Sequence, residues 1–290
     1  MIPPGPRLGD LVIDVRGLCM TLVTPAVPPS QPGSPASAEA DALASGAADI
    51  VATPTERVLL NNVSFRIPKG AIVGIIGGNG TGKTTLLRLI AGELTPQNGT
   101  IVRGSTVRIG LVSQSRAELD PTQRVIDVVG AGADVVSMGP DFDMPIRQYL
   151  ASFNLVGELQ TKLVRSLSGG ERNRVHLARV LRTGANVLML DEPTNDLDVD
   201  TLRSLEEALT EFAGVSILVS HDRYFLDRLA THLLVFTGDG TVEWFEGNFS
   251  EYAESTRGAS SPIVAALSAA GTDAAKAAAL PMASMASSGR

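Results

Sequence analysis

One eight-residue run limits most what this chain can fold into. Gly77-Gly78-Asn79-Gly80-Thr81-Gly82-Lys83-Thr84 fits the pattern G-x-x-x-x-G-K-[ST]. An apolar run, Ile72 to Ile76, precedes it, and Leu86, Leu89 and Ile90 follow on helical spacing, which is the strand–loop–helix context that such a loop requires. There the glycines let successive backbone N–H groups turn inward around β- and γ-phosphates, and the helix N-terminus adds its dipole. Lys83 supplies a cation, the Thr84 hydroxyl can ligate Mg²⁺, and Thr85 next to it counts with the loop among the nucleotide-binding residues. A site built from oriented amides needs no bulk positive charge. That matters here, because the 290 residues carry a net charge of −7 and show no basic face that would speak for nucleic acid.

The rest of the chain reads as one α/β unit interrupted and followed by low-complexity sequence. Apolar runs at Leu11 to Val15, Val58 to Ile67, Ile72 to Ile76, Val107 to Val112, Val187 to Leu190, Val215 to Val219 and Leu233 to Phe236 predict strands. Several are apolar at consecutive positions, as in strands covered on both faces. Leu202, Leu205, Leu209 and Phe212 recur at helical steps, and residues 122–165 read as a mainly helical insert. Residues 25–56 contain no aromatic residue, Lys or Arg, and are dominated by Pro, Ala and Ser; the Ala/Ser/Gly-rich stretch 257–290 also lacks aromatics. Neither can bury enough apolar area to offset its ordering entropy, so both are expected to be disordered. Residues 1–24 and 57–256 remain as a single domain. A single cysteine, Cys19, rules out an internal disulfide, and no run of 18 apolar residues exists, so the expectation is a cytoplasmic chain without a membrane segment.

Three further groups bear on chemistry. Val187 to Leu190 ends in adjacent carboxylates, Asp191 and Glu192, which alternation sends to different places at the strand end. Asp191 can join a Mg²⁺ shell and Glu192 can accept a proton from a water attacking the γ-phosphate; alone, the pair also reads as a solvated strand end. Ser168-Gly169-Gly170-Glu171 opens a helical pattern running from Arg172 to Arg182. Its free N–H groups and hydroxyl make it either a second phosphate receptor or an ordinary N-cap. One nucleotide cannot easily use two such helix starts from one domain, so the second hints at a nucleotide bound by a partner. His221, directly after the Val215 to Val219 run, can hydrogen-bond a phosphate or be only a polar strand-end histidine.

In this order the residues resemble the nucleotide-binding cassette of ABC-type ATPases. The resemblance implies a P-loop NTPase fold of the ABC ATPase type: a mostly parallel core sheet with an antiparallel β subdomain and a helical subdomain. It also implies ATP and Mg²⁺ as ligands. The glycine loop corresponds to Walker A, Gln114 to the Q-loop with a catalytic and metal-binding role, and Ser168 to Glu171 to the signature. Asp191 and Glu192 correspond to Walker B with its catalytic carboxylate, Asn195 to Asp198 to the D-loop, and His221 to the switch histidine. In the family two cassettes close head to tail, each signature capping the γ-phosphate on the opposing Walker A.

Glu192 to Asp198 (EPTNDLD), Ser220 to Asp227 (SHDRYFLD) and Glu246 to Tyr252 (EGNFSEY) are similar to the ABC-F group, which lacks membrane domains. The match is to the second of the two cassettes in those proteins. Leu22 occupies the place where the family usually stacks an aromatic residue on adenine. The resemblance thus implies an ATP hydrolase that works with a second cassette, either another copy or another chain, in a ribosome-linked role. Two alternatives keep the fold: an ATP-binding half inactive without a second cassette, and the ATPase subunit of a membrane transporter. Ribosome binding rests on the resemblance alone, since no basic stripe supports it.

Overall fold

The computed structural model describes residues 2–3, 5–24, 55–112, 119–139, 142–194 and 197–256. Two long strands, β1 (Ile13–Thr24) and β2 (Thr55–Ile67), pair antiparallel; β3 (Ile72–Gly77) leads through the glycine loop into α1 (Lys83–Ala91). Next come β4 (Asn98–Arg103), β5 (Ile109–Val112), α2 (Val125–Gly130), β6 (Val135–Ser137), β7 (Asp143–Pro145) and α3 (Ile146–Ala151). The chain continues with α4 (Gly169–Leu181), β8 (Val187–Asp191), α5 (Val199–Thr210) and β9 (Val215–Val219). It ends in α6 (Arg223–Leu229), β10 (His232–Phe236), β11 (Val242–Glu246) and α7 (Phe249–Thr256).

The main sheet has the order β11-β10-β3-β9-β8-β5, parallel throughout except for the antiparallel edge strand β11. A separate antiparallel sheet, β2-β1-β4, forms the second β layer. The consecutive apolar residues of the central strands have a direct reason. Leu188, Leu190, Leu218, Leu233 and Val235 enter the core shared with α4, α6 and residues 125–167, while Val187, Met189, Ile217, Val219, Leu234 and Phe236 face α1 and the antiparallel sheet. Alternating side chains therefore meet apolar partners on both faces, as the sequence pattern implies.

The chain differs from the sequence reading in several elements. The insert 122–165 is not uniformly helical: it holds the hairpin of β6 and β7 between short helices and 3₁₀ turns. Each strand has three residues and buries one, Val136 or Met144, which is too little for alternation to show. β4 was not foreseen because none of its six residues is buried; it is an edge strand held by its backbone against β1. β1 runs on to Thr24, and β2 starts at Thr55, so positions 55 and 56 are strand rather than insertion. The remainder of the two low-complexity stretches lies outside the described residues.

A buried asparagine fastens the N-terminal segment to the main sheet. Asn186, just before β8, accepts from the Arg108 N–H at 2.7 Å and donates from its amide to the Pro6 and Thr106 carbonyls, both at 2.8 Å. Replacing it by alanine strands three backbone groups in a dry site. Asn186→Ala is expected to lower folding stability by about 2–3 kcal/mol in chemical denaturation, without change in the fold.

Candidate functional site

Three adjacent parallel strands, β3, β9 and β8, finish on one edge of the sheet, and each delivers a part of the site there. That edge, outside the carboxyl ends of the strands, is where open α/β sheets bind ligands. The glycine loop leaves β3, Asp191 and Glu192 close β8, and His221 follows β9 by two residues.

The loop is organised by its own lysine. The Lys83 ammonium donates to the carbonyls of Gly77 and Gly78 at 2.9 and 2.8 Å, and the Thr81 hydroxyl donates to Gly78 at 2.9 Å. Gly77 adopts φ +151°, and a Cβ there would lie 2.6 Å from the Cβ of Phe236, so strand β10 holds the loop to a glycine. Helix α1 begins at Gly82, whose φ is +107°, with no side-chain cap and no acidic residue in its first turn. Its first N–H groups are thus left for an anion, as the sequence pattern requires. Burial pushes the Lys83 ammonium below its usual range, against the pull of Glu192 and Asp191.

Thr84 and Asp191, far apart in sequence, meet directly: the Thr84 hydroxyl donates to Asp191 Oδ2 at 2.8 Å. Burial raises the Asp191 carboxyl above the usual aspartate range, opposed by the Thr84 hydrogen bond and by the charges of Lys83 and His221. A hydroxyl and a carboxylate are hard oxygen donors, and their spacing is that of neighbouring corners of a Mg²⁺ octahedron, about 2.9 Å apart for bonds of 2.0–2.1 Å. The pair therefore fits Mg²⁺. Gln114, the other metal residue expected from sequence, lies outside the described residues, as do Asn195 and Asp196.

Glu192 has the least ordinary backbone in the site. It adopts φ +52°, rare for a non-glycine residue, while its N–H still donates to Val219 of β9 at 2.8 Å. Its carboxylate is almost wholly buried beside His221: Oε2 accepts from the His221 backbone N–H at 3.4 Å, and Oε1 lies 3.4 Å from His221 Nε2. Oε1 makes no hydrogen bond with the described residues and is a buried acceptor set against the His221 ring. Burial raises the Glu192 carboxyl above the usual glutamate range, with His221 opposing. A buried carboxylate with an elevated proton affinity suits a proton acceptor.

The start of α4 is first of all a well-formed cap. The Ser168 hydroxyl accepts from the Glu171 N–H at 3.2 Å, and the Glu171 carboxylate accepts from the Ser168 N–H at 2.7 Å. That backbone hydrogen bond holds the Glu171 carboxyl below its usual range. The ordinary N-cap role is thus filled, yet a hydroxyl that accepts keeps its proton to donate, and nothing crowds the Cα of Gly169. One link was missed in the sequence: Arg174 of α4 donates to Asp198 at 2.8 Å, and Asp198 also caps α5 through the Thr201 N–H. Lying 24 residues apart, the two leave no periodic signal.

A glycine loop on β3 facing an acidic pair on β8, with a capped Ser-Gly-Gly start to α4, is the arrangement of an ABC-type ATPase cassette. The chain belongs to that family: residues 60–195 match the ABC transporter family. Within it, the chain is 47% identical over 253 residues to the energy-dependent translational throttle protein EttA of Escherichia coli K12, and 43% identical over 257 residues to EttA of Mycobacterium tuberculosis H37Rv. Each match takes in 87% of this chain and 40% of the relative, so the chain spans about two fifths of the length of these proteins. Among solved structures, the dimeric post-hydrolysis state of an ATP-binding cassette bound to ADP and Pi shares the fold, with TM-score 0.58 and 19% identity over 81% of this chain and 98% of that one. No helix among the described residues is long and apolar enough to cross a membrane.

Proposed function

We propose that this chain is an ABC-F type cassette that binds Mg-ATP and hydrolyses it to ADP and phosphate at an interface completed by a second cassette, in a ribosome-associated role in translation. The observation that carries the hydrolytic part is Glu192, buried against His221 with one oxygen outside any hydrogen bond among the described residues, at the same sheet edge as Lys83 and the Thr84–Asp191 pair. The translation part rests on likeness to proteins named for throttling translation.

Loop N–H groups and Lys83 bind the β- and γ-phosphates; Thr84, Asp191 and Gln114 would hold Mg²⁺, which when bound would neutralise phosphate charge. Glu192 takes a proton from the attacking water at a carboxylate oxygen. His221 fixes the orientation of that carboxylate and hydrogen-bonds the γ-phosphate. The Ser168 hydroxyl and the N–H groups of Gly169 and Gly170 serve the nucleotide on the opposing cassette, which comes from a second copy or from elsewhere in a longer polypeptide.

Two measurements test this reading. At saturating ATP, the phosphate-release rate per cassette should rise with protein concentration, and a rate per cassette independent of concentration together with a monomeric mass would overturn the composite site. Glu192→Gln should sediment with ribosomes in ATP and not in ADP. Sedimentation with neither nucleotide would remove the translation role and leave the ATPase.

A further inference from the structure

The segments that carry Glu192 and His221 are joined a second time, by a pair of hydroxyls that the reading above does not use. Thr194, two residues past Glu192, and Ser220, the residue before His221, stand with Oγ1 and Oγ 3.3 Å apart. Ser220 is only 3% exposed, and Thr194 is half-buried. The serine end is a fixed point. Its hydroxyl also accepts from the Asp222 N–H at 3.0 Å, and the Asp222 carboxylate caps α6 by accepting from the Phe225 N–H at 3.1 Å. Either hydroxyl of the pair can donate to the other, since Ser220 keeps its proton and a second lone pair.

Glu192 needs such an anchor. A left-handed backbone at a non-glycine residue is costly and persists only where the surroundings over-determine it. Pro193, next in the chain, favours extended backbone at Glu192 instead, and without an N–H it offers no further ladder bond to β9. On one side Glu192 is held by its own N–H on the Val219 carbonyl at 2.8 Å. On the other side, past the proline, the grip is the Thr194 hydroxyl. That second grip ends on Ser220, whose peptide bond to His221 carries the N–H that donates to Glu192 Oε2. We propose that Thr194 and Ser220 are positioning residues, their hydroxyl pair holding Glu192 in its left-handed turn and its carboxylate against His221. The kinetic consequence rests on the reading of Glu192 as the base given above; the geometric one does not.

Single-turnover phosphate release and ATP affinity of the full chain read the kinetic consequence. Thr194→Val, which keeps the branched shape and loses the hydroxyl, should slow release by about ten- to a hundredfold, the scale of a misplaced catalytic group, with ATP affinity within about twofold of wild type. Ser220→Ala should do the same, and Thr194→Ser, which keeps the hydroxyl, should restore the rate. Added to Glu192→Gln, where no base remains to be positioned, Thr194→Val should cost no more than about twofold further. An equal loss in both backgrounds, a fall in affinity that matches the fall in rate, or a wild-type rate in Thr194→Val and Ser220→Ala would each overturn the proposal. Crystal structures of the nucleotide-free variants read the geometry without any turnover: Glu192 should leave the left-handed region and its carboxylate should part from His221. An unchanged Glu192 in both Thr194→Val and Ser220→Ala would overturn the proposal whatever the rates. If Glu192→Gln itself hydrolysed ATP at the wild-type rate, the base reading would fall, and the crystal structures alone would decide the role of the hydroxyl pair.

Discussion

Glu192→Gln is expected to slow ATP hydrolysis by about a hundred- to ten-thousandfold while ATP binding is kept, the range over which a positioned general base contributes. The substitution changes one atom at a site whose shape is otherwise set by backbone: the φ of +52° and the N–H bond to Val219 belong to the main chain and survive it. The amide can still accept from the His221 N–H, but it cannot take a proton from water. Phosphate contacts through Lys83 and α1 are untouched, so the variant should hold ATP in the closed, undischarged state. Single-turnover phosphate release compared with nucleotide affinity separates the two effects. A rate within tenfold of wild type would mean that Glu192 is not the base.

The same variant carries a pH signature in the nucleotide-free protein. Burial raises the Glu192 carboxyl, so the folded chain binds that proton more readily than the unfolded chain does. A raised carboxyl contributes its stability in full below the unfolded pKa and loses it as pH rises through the folded one. Glutamine is neutral throughout and escapes that loss. Glu192→Gln should therefore melt at higher temperature than wild type at pH 7.5, and the gap should close as pH falls into the ordinary glutamate range. Asp191 is raised by burial too, and its charge adds to the rise at Glu192.

What could be read from the sequence, and what could not, follows from the range of each interaction. Gly77 to Thr84 is legible because its chemistry lies in the local backbone: the N–H groups and the Lys83 ammonium that it offers an anion sit within one loop and the turn of helix behind it. The central strands are legible because both their faces are buried, which forces apolar residues at consecutive positions. β4 was invisible for the opposite reason, since an exposed edge strand imposes no pattern on its side chains. The Thr84–Asp191 bond spans 107 residues and depends on β3 and β8 flanking β9, a topology that no spacing encodes. The positive φ of Glu192 had no sequence signal either, because nothing about a glutamate predicts a left-handed backbone.

Lys83→Met is expected to remove nucleotide binding, by at least about a hundredfold, with little change in the stability of the nucleotide-free protein. The two effects separate because the ammonium is placed at a cost. It is buried, burial lowers its proton affinity, and among the described residues it serves the carbonyls of Gly77 and Gly78. Methionine of similar length fills the same channel without desolvating a charge, and Thr81 still bonds the Gly78 carbonyl. The lost lysine–carbonyl bonds and the relieved desolvation thus oppose each other, to within about 1 kcal/mol. Bound nucleotide breaks this balance, since a triphosphate meets the ammonium with full charge and loses about 3 kcal/mol or more without it. Thermal unfolding with and without ATP reads both at once: wild type should gain stability as ATP rises above its Kd, about 2.7 kcal/mol at a hundredfold excess. Lys83→Met should begin near the same midpoint and stay there. A midpoint far below wild type before any ATP is added would show that the lysine is a structural strut of the loop rather than a phosphate ligand held in waiting.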